Sequence, residues 1–312
     1  MLGYLTQQTI SFVITLFLVL TLVFFGVRAL PGDPATIRGG LDASQEEIQL
    51  IRKSLGLAGP LVQQFGDYWA SLARGDLGRS IREQRGVSRI LSERLPVTLR
   101  LASMAFALSL VVGVGLGVVA AFRQNGAGDR LILGYTTVGL ALPEFWLGFL
   151  LILLFAVELR WFPLIGYSAD PTFGSFLYYL FLPALTLAIP RAAQLARLSR
   201  ALLLEERRSD YVRTARSKGV RSLALVRHVA ANALPGLLPL LALELGGLLT
   251  GTIVVEQVFG LPGLGLTILG AISARDYPVV QGITVLAVVI YMAINWLADL
   301  GQLIADPRLR YQ

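Results

Sequence analysis

The sequence predicts an all-α membrane protein with six transmembrane helices and a small helical segment between the first two. Three observations carry that expectation. The 312 residues are 55% hydrophobic and only 15% charged, and the mean hydropathy is +0.67. Counting glycine in and tyrosine out brings the apolar share to about 62%, against about 45–50% in soluble domains. A water-soluble globule of this length would lack the polar surface to cover itself. Second, six apolar runs reach or approach the roughly 20 residues that a bilayer core about 30 Å thick asks of a helix. Third, the basic residues of the short loops gather on one side.

Residues 1–9 form a short tail before the first run, 10–27. No Lys or Arg precedes that run and no small-x-small site follows it, so it reads as a retained span and not as a cleaved signal peptide. In the long segment 28–100, Ser44 and Glu47 have the spacing of a capping box. Ile48, Ile51 and Leu55 then repeat at helical spacing, and Gly56 stands at the C-cap. Leu61, Phe65, Tyr68, Trp69 and Leu72 make a second apolar stripe, ended by Gly75. The expectation is two amphipathic helices lying on the membrane face or on a partner subunit.

The second run, 101–122, contains Gly113-x-x-x-Gly117. The third, 131–157, carries Glu144 directly after Pro143. The fourth, 173–190, ends at Arg191, placed to snorkel to the headgroups. The fifth, 234–255, carries Glu244 and Gly247-x-x-x-Gly251, and the sixth, 279–297, carries Asn295. Both glycine pairs allow close helix approach, within this chain or against another.

Six spans put both termini on one side. Segments 123–130, 191–233 and 298–312 hold 2, 10 and 2 basic residues, whereas 158–175 and 256–278 hold 1 each. By the positive-inside rule both termini are cytoplasmic and 28–100 is external. Arg28 after the first span, with no basic residue before it, argues locally for the reverse, and the later loops outweigh it.

Several functions are excluded. With no cysteine and only His228, thiolate and His-pair metal sites cannot be built, and His228 reads as an interfacial side chain. Lys53 and Lys218 are the only lysines and neither ends a G-x-x-x-x-G-K-[ST], so the chain has no P-loop. No G-x-S-x-G elbow, paired Asp or His-Glu-x-x-His marks an enzyme. The net charge of +7 comes from arginines flanking apolar runs, not from aromatic stacking platforms, so nucleic acid is not expected as a partner.

Between the fourth and fifth runs stands Asp210-Tyr211-Val212-Arg213-Thr214-Ala215-Arg216-Ser217-Lys218-Gly219. Asp210 suits an N-cap, Lys218 the last turn and Gly219 a left-handed C′, which specifies a two-turn helix over 211–218. Such a helix is too short to be stable alone, and its small residues and cations suit insertion into a groove of another protein. An ordinary positive-inside loop fits the composition equally.

This stretch, with His228 and Asn232-Ala233-Leu234-Pro235 after it, resembles the EAA loop of ABC importer permeases. Arg213-Thr214-Ala215 stand where the general form has Glu-Ala-Ala, and Leu234-Pro235 lies further from the glycine; both departures resemble the peptide-importer branch. Leu30-Pro31-Gly32-Asp33-Pro34, Gly75-Asp76-Leu77-Gly78-Arg79-Ser80, Arg94-Leu95-Pro96-Val97-Thr98-Leu99, Val255-Glu256-Gln257-Val258-Phe259 with Pro262-Gly263-Leu264-Gly265, and Arg275-Asp276-Tyr277-Pro278-Val279-Val280-Gln281-Gly282 agree with it. Over nearly the whole chain they resemble the first permease of dipeptide, oligopeptide, nickel and glutathione importers.

The resemblance implies a type I importer permease fold in a bacterial inner membrane, with no cofactor of its own. It implies a second permease, two cytosolic ATPase subunits that bind ATP and Mg, and an external binding protein that chooses the cargo. It assigns Tyr211, Arg213, Thr214, Ala215, Lys218 and Gly219 to ATPase docking. Glu144, Glu244 and Asn295 are candidates for the translocation path. An acid in a span is costly, which marks it as functional or paired. Glu244 fits a water-lined path and a buried interhelical bond equally, and Glu144 after Pro143 fits the cap of a local kink. Glu256, Pro262 and Gly263 are candidates for an external turn or gate, in which Glu256 is expected to bond the turn. The alternative is an autonomous secondary transporter or channel built on Glu144 and Glu244.

Overall fold

The computed structural model describes residues 2–29, 32–40, 43–167 and 173–305. Residues 30–31, the middle of the loop 158–175 and the tail 306–312 with Arg308 and Arg310 lie outside the described residues. In chain order the described helices are α1 (Leu2–Ala29), α2 (Pro34–Gly39), α3 (Gln45–Ser54), α4 (Leu61–Ala73), α5 (Val87–Phe122), α6 (Ala127–Ala141), α7 (Glu144–Leu151), α8 (Phe173–Glu206), α9 (Asp210–Ser217), α10 (Ser222–Phe259), α11 (Leu264–Ser273) and α12 (Tyr277–Ala305). Ile152–Glu158 continues α7 as a π-helical segment.

Among the described residues, five stretches are long and apolar enough to cross a membrane: Thr9–Ala29, Val87–Phe122, Gly174–Glu206, Leu223–Phe259 and Tyr277–Gln302. A sixth is made by Ala127–Ala141 and Glu144–Glu158 taken together, bent by 104°. The apolar runs of the sequence therefore sit inside longer helices with polar ends. The third run is not one continuous helix, as its composition suggested. Pro143 offers no N–H to the preceding turn and drives Leu142 to an extended conformation, φ −83° and ψ 124°, so the helix stops and restarts.

The chain divides into two compact units, Met1–Val97 with Pro262–Met292 and Thr98–Leu261 with Ala293–Gln312. In the first, the aromatic stripe of α4 packs on α1. Trp69 stacks on Phe17 at 5.1 Å between centroids, and Phe65 meets Phe24 at 5.2 Å. A membrane face or partner subunit was the expected seat for that stripe; the first long helix of the same chain takes it instead. Arg28 lies 3.6 Å over the Phe24 ring and donates to Gln64 at 3.2 Å, fixing α1 to α4 from the side. Burial pushes the Tyr68 phenol up to about 12.

The capping box forms as read, with Ser44 N–H donating to Glu47 at 2.8 Å and Glu47 N–H to Ser44 Oγ at 3.3 Å. Gly56 takes φ +69°, the left-handed C′ that closes α3. The short α2 has Pro34 at N1 behind the N-cap Asp33, whose carboxylate also pairs with Arg52 at 2.5 Å. The segment before α5 is tied to α12 by Asp276, which accepts from Ser80 Oγ at 2.5 Å, Ile81 N–H at 3.0 Å and Arg82 N–H at 3.1 Å.

In the second unit α8 is the central helix, with Leu180, Leu182, Leu187 and Leu195 wholly or almost wholly buried. Gly113 and Gly117 of α5 press on it: a Cβ at Gly113 would stand 2.8 Å from the Ala192 carbonyl oxygen, and one at Gly117 2.9 Å from that of Ala196. This glycine pair is used within the chain.

Candidate functional site

The loop helix is anchored at both ends and in its middle. Ser209, not Asp210, is the N-cap, with φ −65° and ψ 152°; Asp210 is already helical, and its exposed carboxylate lies 4.0 Å from Arg213. The C-terminal end is a complete Schellman motif. Val220 N–H donates to the Ala215 carbonyl at 3.1 Å, Gly219 N–H donates to that of Arg216 at 3.0 Å, and Gly219 has φ +74°. The left-handed glycine read from the sequence is thus in place.

One side chain seats the helix. Val212 is 1% exposed and packs with Ala121, Leu203, Leu225 and Val229, from the ends of α5, α8 and α10. Ala215 leans on the same cluster from its edge. Tyr211 hydrogen-bonds Asn232 of α10, Glu206 and Ser209. Burial pushes its phenol up; the Asn232 bond opposes that and the Glu206 bond adds to it. Of the six expected docking residues, Arg213, Thr214, Lys218 and Gly219 are freely exposed, Tyr211 is exposed but tethered, and Ala215 is half-buried. With Arg216, the outer face is strongly cationic.

The acids Glu144 and Glu244 come together, which sequence spacing gave no reason to expect. Arg191 of α8 stands between them, 3.3 Å from Glu144 and 3.5 Å from Glu244, and donates to the Gly247 carbonyl at 3.2 Å. Its guanidinium is thus engaged by two carboxyl groups and a carbonyl of the same unit, partners that the reading of a snorkelling end did not include. Glu144, first residue of α7, makes no side-chain cap; it takes Arg191 instead. The second glycine pair makes this possible. A Cβ at Gly247 would stand 2.5 Å from the Arg191 guanidinium, and one at Gly251 3.0 Å from Glu144 Oε2.

A second charged pair escaped the sequence reading. Asp129, 2% exposed, accepts Arg200 through 2.7 and 2.9 Å bonds and caps Asn125 N–H at 2.9 Å. An acid three residues after Gly126, at the head of an apolar helix, was its available signal. Arg207 then clamps the end of α8 to that of α5, donating to the Ala121 carbonyl and lying 4.9 Å over Phe122.

Glu256 is fully buried and accepts from Thr98 Oγ1 at 2.6 Å, while its carbonyl receives Leu261 N–H at 2.9 Å. In the first unit Gly263 is the N-cap of α11, and the Pro262 carbonyl accepts from Arg94 at 3.5 Å. Asn295 is half-buried on α12, and His228 is exposed on α10.

Residues 113–311 match the family described as binding-protein-dependent transport system inner membrane component, and residues 1–102 match the model of its N-terminal part. A Brucella abortus (strain 2308) relative bearing the name of a peptide transport system permease protein is 43% identical over 94% of each chain. Glutathione transport system permease protein GsiC of Pectobacterium atrosepticum is 39% identical over 100% of each. Among solved structures, the inward-facing MetNI methionine ABC transporter aligns with a TM-score of 0.57 at 18% identity, covering 70% of this chain and 97% of that one, a likeness of fold. The chain belongs to the family of inner membrane components of binding-protein-dependent transport systems.

Proposed function

We propose that the chain is the permease subunit of an ATP-driven peptide importer and that α9 is where it receives work from a separate ATP-binding subunit. The observation that carries this is the build of α9: eight residues, a Schellman end and one buried valine hold a cationic face outward. A helix that cannot stand alone is kept rigid by its own bundle and offered to something else. Full-length relatives named for peptide and glutathione transport support the cargo class.

On this reading both termini and α9 face the cytoplasm. Two ATP-binding subunits hold ATP and Mg, a second permease completes the pathway, and an external binding protein delivers the peptide. Glu144, Glu244 and Asn295 line that pathway, and Glu256 with Pro262 and Gly263 belongs to its outer side. Carboxylates of the ATP-binding groove meet Arg213, Arg216 and Lys218. Thr214 gives close approach, since its hydroxyl turns back on the Asp210 carbonyl at 3.0 Å. Moving a two-state transporter from 1:99 to 99:1 takes about 5.5 kcal/mol of differential binding, delivered through this face.

Thr214→Trp and Gly219→Asp test the proposal in the complete importer. Trp overfills the exposed face, and Asp strains the left-handed position. Each is expected to insert normally, lose the ATP-binding subunit on co-purification and lose peptide uptake. Ala215→Arg is expected to fail too, though it also pushes on the cluster beneath. Wild-type uptake in both Thr214→Trp and Gly219→Asp would overturn the assignment.

A further inference from the structure

Two charged groupings in the second unit differ in kind. Arg200 meets Asp129 through two bonds at 2.7 and 2.9 Å, the distances of a well-made charge-assisted pair. Arg191 is shared between two acids instead, with single approaches at 3.3 and 3.5 Å. Two carboxyl groups face one guanidinium. Glu244 is 1% exposed, yet its Oε1 has no hydrogen-bond partner. A buried carboxylate oxygen without a donor is unfavourable, so a fold that retains one needs a further group to satisfy it.

The surroundings give that group a way in. Glu144 keeps 22% and Arg191 20% of side-chain exposure, so the cluster is open on the Glu144 side. Glu144 opens α7 just after the 104° break, so its carboxyl stands at an irregular point of the span and not along a continuous helix. Gly247 and Gly251 leave the facing surface of α10 without side chains.

We propose that Glu144 and Glu244 form a binding site for the free ammonium group of a transported peptide. The inference rests on the peptide reading above. The ammonium meets Glu144 first and donates to Glu244 Oε1, while Arg191 keeps its bond to the Gly247 carbonyl. An N-acetylated peptide has no such charge and is refused.

The test uses the complete importer in lipid nanodiscs, without its binding protein, so that only the membrane subunits select. Thermal unfolding is followed with millimolar dialanine, with N-acetyl-dialanine and with sodium chloride alone. Dialanine is expected to raise the melting temperature while the other two do not. In Glu244→Gln and Glu144→Gln the apparent Kd for dialanine rises at least about tenfold. Glu144→Gln, the exposed member, serves where Glu244→Gln lowers the basal melting temperature. An equal shift from N-acetyl-dialanine or from sodium, a dialanine shift unchanged in both variants, or no shift at all would overturn the site. Peptide uptake by the same importer with ATP and binding protein separates the two ideas. Uptake without a glutamate-dependent shift refutes the site alone, and absence of uptake for any peptide refutes the peptide reading.

Discussion

Val212→Ala tests whether a single side chain seats the loop helix. Val212 is the one residue of α9 that is fully buried. Truncation removes two carbons from a site that is 1% exposed. At about 0.8 kcal/mol per buried methylene, the lost burial is about 1.6 kcal/mol. A helix of eight residues adds no stability of its own, so undocking and unwinding are one event. With about 1.4 kcal/mol per factor of ten, the undocked population rises roughly 15-fold. Hydrogen exchange of the backbone amides over 210–219, in protein reconstituted in nanodiscs, reads that population directly. The expected result is exchange roughly 15-fold faster there, with α8 and α10 unchanged. A change below about twofold in this segment would refute the reasoning. So would an equal acceleration over α8 and α10, because Val212 would then be holding the bundle together and not seating the helix.

Two further predictions concern charge. Asp129→Asn strips a buried carboxylate from Arg200 and is expected to cost about 3 kcal/mol, at the low end for a broken buried pair because Arg200 keeps 19% exposure. Thermal unfolding should show the loss, and Asp129→Leu combined with Arg200→Met should recover part of it. Asp33 behaves differently. Burial works upward on its carboxyl, but the Arg52 hydrogen bond and the Ala35 N–H outweigh it and hold it below the ordinary value. A depressed carboxyl stabilises the fold above its ordinary pKa and ceases to as pH falls through the lower, folded value. Asp33→Asn should therefore speed exchange over 34–39 at pH 7, by up to about 1 kcal/mol for so exposed a pair, and the difference from wild type should vanish in strong acid.

Features fixed by neighbours in the chain were legible. The Ser44–Glu47 box and the left-handed Gly56 and Gly219 each depend on a few adjacent residues, so their spacing announces them. Features fixed by distant partners were not. Arg191 looks like a snorkelling end because its carboxylates lie 47 and 53 residues away. The aromatic stripe of α4 is plain in sequence, but nothing local says that α1 receives it. Val212 is one valine among polar residues, and only the ends of three long helices turn it into an anchor. The cap shifted by one residue, from Asp210 to Ser209, because either side chain suits the position and the backbone decides.

The bare flank of α10 also constrains how this protein can drift. A methyl group at position 247 would collide with the guanidinium of Arg191, and one at position 251 would crowd Glu144. Conversely, a short uncharged residue in place of Arg191 would leave an empty notch over two glycines, with two acids unneutralised beside it. A side chain at either glycine would move the charged ends that now occupy that space, so the glycines and the charges influence one another. An oily contact in place of the ionic cluster would involve three helices, through Glu144 of α7, Arg191 of α8 and Glu244 of α10, so drift at one of these positions is felt at the other two.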